Sequence, residues 1–228
     1  MIKKIINKIK NLITHYYLKK KDDFRQKECN RLTYSYKKYE KIKLHIGCGP
    51  RILKGWINID LKYEPFENYL KYYQDKYLEN IRGTKEDFWE CDVTKGISLP
   101  DNCVDVIFSE DFIEHLSQRG QVIFLSEALR VMKKDAVHRI NTPDLLQSMH
   151  SSNFKLGIKG VYLEEWDKNG HINVLSKSML KELVKMVGYS RVVFNTKNRS
   201  ISELIPEEYR PDIKDRPLNG NIFVDLIK

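Results

Sequence analysis

The chain has 228 residues, of which 41% are hydrophobic, 31% are charged and 11% are aromatic. This length and composition fit one globular α/β domain with an appendage and give no sign of an internal repeat. The four cysteines form no CxxC pair, which disfavours a zinc site and indicates reduced side chains in an intracellular, cytoplasmic protein.

The net charge of +9 is concentrated at one end of the chain. Residues 1–43 hold 14 Lys and Arg against 4 Asp and Glu, whereas residues 44–228 hold 26 against 27. A nucleic-acid enzyme would place basic residues around its active site rather than in one tail. We therefore expect no nucleic-acid partner.

Residues 1–41 are predicted to form a basic amphipathic helical extension, followed by a domain at 42–228. Apolar residues recur at helical spacing over 2–16, and lysines interrupt every apolar run. Neither a transmembrane helix nor a secretory signal fits this pattern. Two interpretations of residues 1–21 stay open. The helix packs on its own domain or on another subunit, or it makes a peripheral contact with an anionic membrane.

The remainder of the chain alternates predicted strands and helices, which favours an α/β fold with a largely parallel sheet. The predicted strands lie near 42–46, 56–60, 88–91, 104–108, 137–141, 191–194 and 222–227.

The first predicted strand ends at the turn Gly47-Cys48-Gly49-Pro50, and the second ends in Asp60. Glycines let a ligand approach the backbone, and a carboxylate at the end of the neighbouring strand can accept hydrogen bonds from both ribose hydroxyls. The chain has Ile52 where a dinucleotide fold needs a third glycine, and it lacks the Gly-Lys-Ser/Thr of a P-loop. The pattern predicts a nucleoside site that does not wrap a pyrophosphate.

These segments resemble class I S-adenosylmethionine-dependent methyltransferases. The similarity is strongest to the type 11-like group with a GCGP turn and a Gly-Trp-x-Asn-x-Asp strand, here 55–60, which often acts in glycan or small-molecule pathways. Later segments follow in the order of that family. They are 92–93, 99–116, 127–133, 139–145 and 170–189. The last of them includes a predicted helix from Ser176 to Val187, followed by Gly188.

The resemblance implies a Rossmann-like sheet of seven strands in the order 3-2-1-4-5-7-6, with the last strand antiparallel and helices on both faces. Two segments depart from the family. Lys134-Asp135-Ala136 replaces the usual Pro-Gly-Gly, so a turn must form there without glycine. Residues 62–90 are longer than usual, with tyrosines spaced for a helix over 69–81. That helix either covers the sheet or forms a lid, and we expect loops 62–90 and 143–170 to shape the acceptor pocket.

S-adenosyl-L-methionine is the cofactor that the resemblance implies, with Asp92 holding the adenine amino group. Asp60 is expected on the ribose. The full predicted cofactor set is His45, Gly47, Cys48, Gly49, Asp60, Leu61, Asp92, Val93, Ser109 and Glu110.

Methyl transfer displaces an excellent leaving group, so positioning supplies most of the catalysis and a base is optional. A sugar hydroxyl has a pKa far above neutrality, and a histidine base would help there. His115 and His171 are the candidate catalytic bases, and either could instead make a structural hydrogen bond.

The run from Asp111 to His115 also resembles the Glu-x-x-Glu-His motif of ubiquinone-pathway O-methyltransferases, which binds a divalent ion. Asp111, Glu114 and His115 would supply the ligands here. Acids at this spacing are more often the solvated start of a helix, so we expect no metal.

The sequence thus predicts methylation, mainly O-methylation, of a small molecule or saccharide. Two alternatives belong to other classes. A catalytically silent binding protein has no need of intact Gly47, Gly49, Asp60 and Asp92. A nucleotide-sugar or NAD enzyme is disfavoured by the missing third glycine.

Overall fold

A computed structural model describes residues 2–68, 81–149, 162–205 and 220–228. The helix predicted over 69–81 lies outside these residues except for Ile81, and so does the part of loop 143–170 at 150–161.

Three α-helices and seven strands make up the described structure. The helices are α1 (Ile2–Ser35), α2 (Gln118–Val131) and α3 (Lys177–Val187). The strands are β1 (Lys43–Ile46), β2 (Ile57–Asp60), β3 (Phe88–Glu90), β4 (Val104–Glu110), β5 (Met132–Pro143), β6 (Arg191–Phe194) and β7 (Asn221–Ile227).

The seven strands form one sheet in the order β3-β2-β1-β4-β5-β7-β6. Strands β1 to β5 are parallel to one another, and β7 runs antiparallel to both β5 and β6. The predicted order and the antiparallel last strand are confirmed. In such a sheet the carboxyl ends of the parallel strands meet at one edge, where ligands bind.

Strand β1 lies at the centre of the parallel part, between β2 and β4. Leu44 and Ile46 are completely buried on one face, and His45 between them is 1% exposed on the other, so both faces of the sheet are covered there. One face packs against all three helices through a core that includes Phe124 and Leu180. The other face is covered by Leu53, Trp56, Ile81 and Ile205.

The caps of helix α3 agree with its predicted span. The Ser176 hydroxyl accepts a hydrogen bond from the Met179 backbone N–H, and Gly188 ends the helix in the left-handed conformation with φ at 115°.

Lys134-Asp135-Ala136, which replaces the usual Pro-Gly-Gly, lies within β5 and forms no separate turn. Helix α2 ends at Val131 and β5 begins at Met132, five residues before the predicted start at 137. Met132 pairs with Val104 and Val137 pairs with Val106, so the strand bulges between them. Asp135 takes the left-handed conformation there, with φ at 62°. A bulge absorbs the extra residues, and an aspartate tolerates this conformation better than most residues.

Helix α1 has two different halves. Cys29 and Leu32 lie in the core, and Arg25 donates a hydrogen bond of 2.7 Å to the Leu61 carbonyl. Every side chain described between Lys3 and Phe24 is exposed. None of the described helices combines the length and the apolar character needed to cross a membrane.

The inner half of α1 is expected to contribute directly to folding stability. Replacing the completely buried Leu32 by Ala should lower the free energy of unfolding by about 2–5 kcal/mol, because a cavity remains in the core. Leu12, which is 62% exposed, is the matched control, and its replacement by Ala should change stability by about 0.5 kcal/mol or less. Urea unfolding of both variants measures the difference. Equal losses would show that the inner half of α1 does not pack as described.

Candidate active site

A cavity of about 800 Å³ opens at the carboxyl ends of β1, β2, β3 and β4. Its walls include Phe112, His115 and Ile172 on one side. Nine of the ten residues predicted to bind the cofactor line it. They are His45, Gly47, Cys48, Gly49, Asp60, Leu61, Asp92, Val93 and Glu110.

The glycine turn after β1 leaves space that side chains would fill. Gly47 has φ at +68°, and a Cβ there would lie 2.3 Å from the Phe112 ring. Gly49 has φ at +49° and nothing within 4 Å of a Cβ, so its backbone faces open space. The Gly47 N–H donates to the Ile59 carbonyl at 2.9 Å and holds the turn against the end of β2. A ligand can therefore approach the backbone at Gly49.

The Asp60 carboxylate connects the end of β2 to that turn. Its oxygens accept hydrogen bonds from the backbone N–H groups of Gly49 at 2.9 Å and Leu61 at 2.6 Å. Burial raises the pKa of Asp60 above its usual range, while these two hydrogen bonds act in the opposite direction. Each carboxylate oxygen has a second lone pair for a ligand hydroxyl.

Asp92 lies at the adjacent strand end, after β3. It caps a short 3₁₀ helix, Val93–Lys95, and its Oδ1 accepts hydrogen bonds from the Thr94 N–H at 3.1 Å and the Thr94 hydroxyl at 2.6 Å. The Asp92 side chain lines the cavity and is 21% exposed, and its Oδ2 lies 4.0 Å from the Lys95 Nζ.

Two buried polar residues support the wall. His45 stacks on Phe108 with ring centroids 5.2 Å apart, and burial lowers the pKa of His45 to about 3. The imidazole is therefore neutral. Ser109 lies behind the wall, 1% exposed, with its hydroxyl 3.3 Å from His138 Nε2.

Glu110, at the end of β4, is held by two side chains that the sequence did not suggest. Arg51 Nη1 donates to Glu110 Oε2, and Asn141 Nδ2 donates to Glu110 Oε1 at 2.7 Å. Arg51 and Glu110 are both nearly buried, so each charge depends on the other. This pair fixes the wall of the cavity between β1 and β4.

The two candidate histidines lie together. The rings of His115 and His171 have centroids 4.9 Å apart and meet edge to face. His115 is exposed and lines the cavity, whereas the His171 side chain is only 7% exposed. Partial desolvation and the neighbouring His171 lower the pKa of His115 below its usual range. This lowered pKa favours the neutral form of the His115 imidazole.

His171 is oriented by a buried carboxylate. Glu165 Oε2 lies 2.8 Å from His171 Nδ1, and the Ser148 hydroxyl donates to Glu165 Oε1. A proton on Nδ1 makes this contact a hydrogen bond to the carboxylate, which fixes the orientation of the ring.

Nε2 of His171 faces a second buried acid, Glu114, at 4.0 Å from Oε1. Glu114 is completely buried. Its Oε2 accepts a hydrogen bond from the Thr142 hydroxyl at 2.9 Å, and its Oε1 has no hydrogen-bond partner among the described residues. Burial raises the pKa of Glu114 to about 7.

Three potential metal ligands come together here. Ligand atoms of Glu114, His115 and His171 lie within 4.8 Å of one another. Asp111, which the sequence grouped with Glu114 and His115, is not part of this cluster in the part of the chain that the structure describes. Two imidazoles and a carboxylate are a set that divalent transition metals use.

The sheet order and part of the sequence agree with known proteins. A family model for a methyltransferase domain matches residues 44–140, which include the glycine turn, Asp60, Asp92 and β4. Residues 44–140 thus match a methyltransferase domain, and the S-adenosyl-L-methionine predicted from the sequence is the cofactor expected of such a domain. The comparison with curated proteins gives no match.

Solved structures with the methyltransferase fold resemble the whole chain at low identity. An S-adenosylmethionine-dependent methyltransferase from Archaeoglobus fulgidus is 20% identical over 93% of this chain and 100% of its own, with a TM-score of 0.52. An S-adenosylmethionine-dependent methyltransferase from Methanosarcina mazei is 16% identical over 85% of this chain and 95% of its own, with a TM-score of 0.51. A third structure is phosphoethanolamine N-methyltransferase 2 of Haemonchus contortus, solved with S-adenosyl-L-methionine. It is 13% identical over 83% of this chain and 49% of its own, with a TM-score of 0.50.

Sequence reasoning found the glycine turn and both aspartates of the methyltransferase domain, but it missed Arg51, Glu165 and Asn141. No local pattern marks these residues. The polar loop before His171 contains three acids, Glu164, Glu165 and Asp167, and only the fold shows which of them reaches the ring.

The buried acid behind the histidines should make stability depend on pH. The folded state holds the Glu114 proton more tightly than the unfolded state, because its pKa rises from an ordinary 4.5 to about 7. Folding stability is therefore lost as the pH rises through this range. Relative to Glu114→Gln, we expect the wild type to lose up to about 3 kcal/mol between about pH 5 and pH 8. Chemical unfolding of both proteins across this range measures the difference. Parallel pH curves would contradict a protonated Glu114.

Proposed function

We propose that the protein transfers the methyl group of S-adenosyl-L-methionine to a hydroxyl of a small molecule or saccharide. The observation that supports this best is His115, whose neutral imidazole faces the cavity at the end of β4. An amine acceptor that is neutral needs no base, whereas a hydroxyl gains most from one.

The order of the strands arranges the cofactor. Asp92, Asp60 and the turn from Gly47 to Gly49 follow β3, β2 and β1, which are consecutive in the sheet. Adenine at Asp92 and ribose at Asp60 then direct the methionine portion past the glycine turn toward β4. With the cofactor held in this order, Phe112 and His115 would be the wall residues that face its methyl group.

The acceptor would enter beside this wall. Bound S-adenosyl-L-methionine would supply its methyl group to the acceptor's hydroxyl oxygen, keep the electron pair of the broken carbon–sulfur bond and leave as S-adenosylhomocysteine. An imidazole nitrogen of His115 takes the hydroxyl proton. Because the cofactor brings its own leaving group, the cavity contributes mainly by aligning the two reacting atoms.

His171 acts behind His115 as a positioning residue. Glu165 fixes its tautomer, and its ring packs against the edge of the His115 ring. A cationic His171 beside His115 would further disfavour protonation of His115, which keeps the base neutral.

The cofactor assignment predicts a specific loss of affinity. Asp60→Ala should weaken S-adenosyl-L-methionine binding by about tenfold or more, since hydrogen bonds to a charged acceptor contribute about 1.5–3 kcal/mol each. Glu64 is a matched control because it lines the same cavity, while its carboxylate accepts from Asn68 rather than from the turn. Titration calorimetry should show Glu64→Ala close to wild type. Unchanged affinity in folded Asp60→Ala would refute the ribose assignment.

The same calorimetry, extended to NAD and to nucleotide sugars, tests the alternative cofactors. The proposal expects S-adenosyl-L-methionine and S-adenosylhomocysteine to bind and the others not to bind. Tight NAD binding would instead favour a nicotinamide enzyme on this sheet.

The base assignment predicts a loss of turnover without a loss of cofactor affinity. Screening saccharides and hydroxylated small molecules with labelled S-adenosyl-L-methionine identifies an acceptor. With it, His115→Ala should lower kcat by about a hundredfold or more. His171→Ala should cost less and shift the acidic limb of the pH profile, because His115 then loses a neighbour that lowers its pKa.

Three outcomes would contradict this scheme. Wild-type kcat that does not fall as the pH is lowered would exclude a neutral imidazole base. Activity abolished by a chelator and restored by a divalent ion would assign Glu114, His115 and His171 to a metal. Cofactor binding with no turnover on any acceptor would favour a silent binding protein.

A further inference from the structure

The outer segment of helix α1, residues 3–21, projects from the domain. Contacts with the domain start at Asp22, 3.1 Å from Lys95, and continue with Arg25, which reaches Leu61 and Glu90. Every side chain described in the outer segment is exposed. Packing on its own domain, one of the two interpretations of the sequence, is therefore not what the described residues show.

One side of the outer segment is apolar. Six side chains spaced one or three positions apart form it, and each is between 46% and 67% exposed. They are Ile6, Ile9, Leu12, Ile13, Tyr16 and Tyr17. Because an α-helix turns every 3.6 residues, these positions share one face along several turns. A contiguous row of exposed apolar side chains on a solvent-exposed helix indicates a binding surface.

The rest of the outer segment is strongly basic. It carries seven lysines, and no acidic residue precedes Asp22. Lys3, Lys4, Lys8 and Lys10 flank the apolar face or lie opposite to it. The partner must therefore accept apolar side chains and positive charge along the same strip.

A second copy of the outer segment would satisfy the apolar face but not the lysines. Pairing two outer segments would bury the apolar faces but bring two sets of lysines together, and neither segment has an acid to pair with them. A membrane surface with anionic lipids matches both halves, since acyl chains take the apolar side chains and headgroups take the lysines.

We propose that the outer segment of α1 binds peripherally to anionic lipid bilayers and lies in the plane of the headgroups. The inner half of the same helix reaches the rim of the active-site cavity through the hydrogen bond from Arg25 to Leu61. Binding to lipid thereby holds the cavity close to the membrane. This proposal does not depend on the identity of the methyl acceptor.

Vesicle co-sedimentation of the full chain tests the proposal. We expect at least tenfold stronger binding to equimolar phosphatidylglycerol and phosphatidylcholine than to phosphatidylcholine alone. Binding to the anionic vesicles should fall at least tenfold as salt shortens the Debye length from about 10 Å toward about 3 Å.

Two pairs of variants separate the contributions of the two faces. Ile9→Ser with Ile13→Ser removes apolar surface, and Lys8→Gln with Lys10→Gln removes charge. Each pair should weaken binding to anionic vesicles at least fivefold and leave S-adenosyl-L-methionine affinity unchanged. Met186→Ser and Lys181→Gln, both on exposed positions of α3, are matched controls that should bind vesicles like the wild type.

Equal binding to neutral and anionic vesicles, or wild-type binding by both double variants, would overturn the proposal. So would a dimer in analytical ultracentrifugation that dissociates in the serine variant while vesicle binding is absent throughout. That result would assign the apolar face to a second copy.

Discussion

The hydrogen bonds that join the glycine turn to the end of β2 are the constraint on which the site depends. Gly47 N–H donates to the Ile59 carbonyl and Gly49 N–H donates to the Asp60 carboxylate, both at 2.9 Å. They set the direction in which the chain leaves β1, and with it the floor of the cavity. A side chain at position 47 would strike Phe112, so the same turn also fixes the wall that extends from β4. The floor of the cavity and the wall that holds Phe112 thus both depend on one turn.

Desolvation has opposite effects on the pKa values of Glu114 and His115 beside that wall, and both effects favour the neutral form. Burial raises the pKa of Glu114 to about 7 and contributes to lowering that of His115. Glu165 has a different role, because its carboxylate is hydrogen-bonded to His171 and to the Ser148 hydroxyl and so orients the His171 ring.

Helix α1 combines two environments in one continuous element. Its inner half contributes Leu32 to the core, whereas its outer half exposes both an apolar strip and seven lysines. Helical hydrogen bonds are satisfied within the helix itself, so the outer half needs no neighbour to keep its backbone paired. The packed half holds the exposed half in a fixed direction relative to β3 and the cavity.

The sequence by itself determined the features that are encoded over short spans. Apolar runs placed the strands, Ser176 and Gly188 bounded α3, and the resemblance carried by the motifs implied the strand order. Motif spacing also placed Asp60 and Asp92, because consecutive parallel strands bring their carboxyl ends to one edge. Tertiary structure alone decided that Arg51 and Asn141 hold Glu110, that Glu165 orients His171, and that α2 runs directly into a bulged β5. The physical reason is that these contacts depend on which rotamers and loop paths bring distant side chains together, and no local periodicity records that choice.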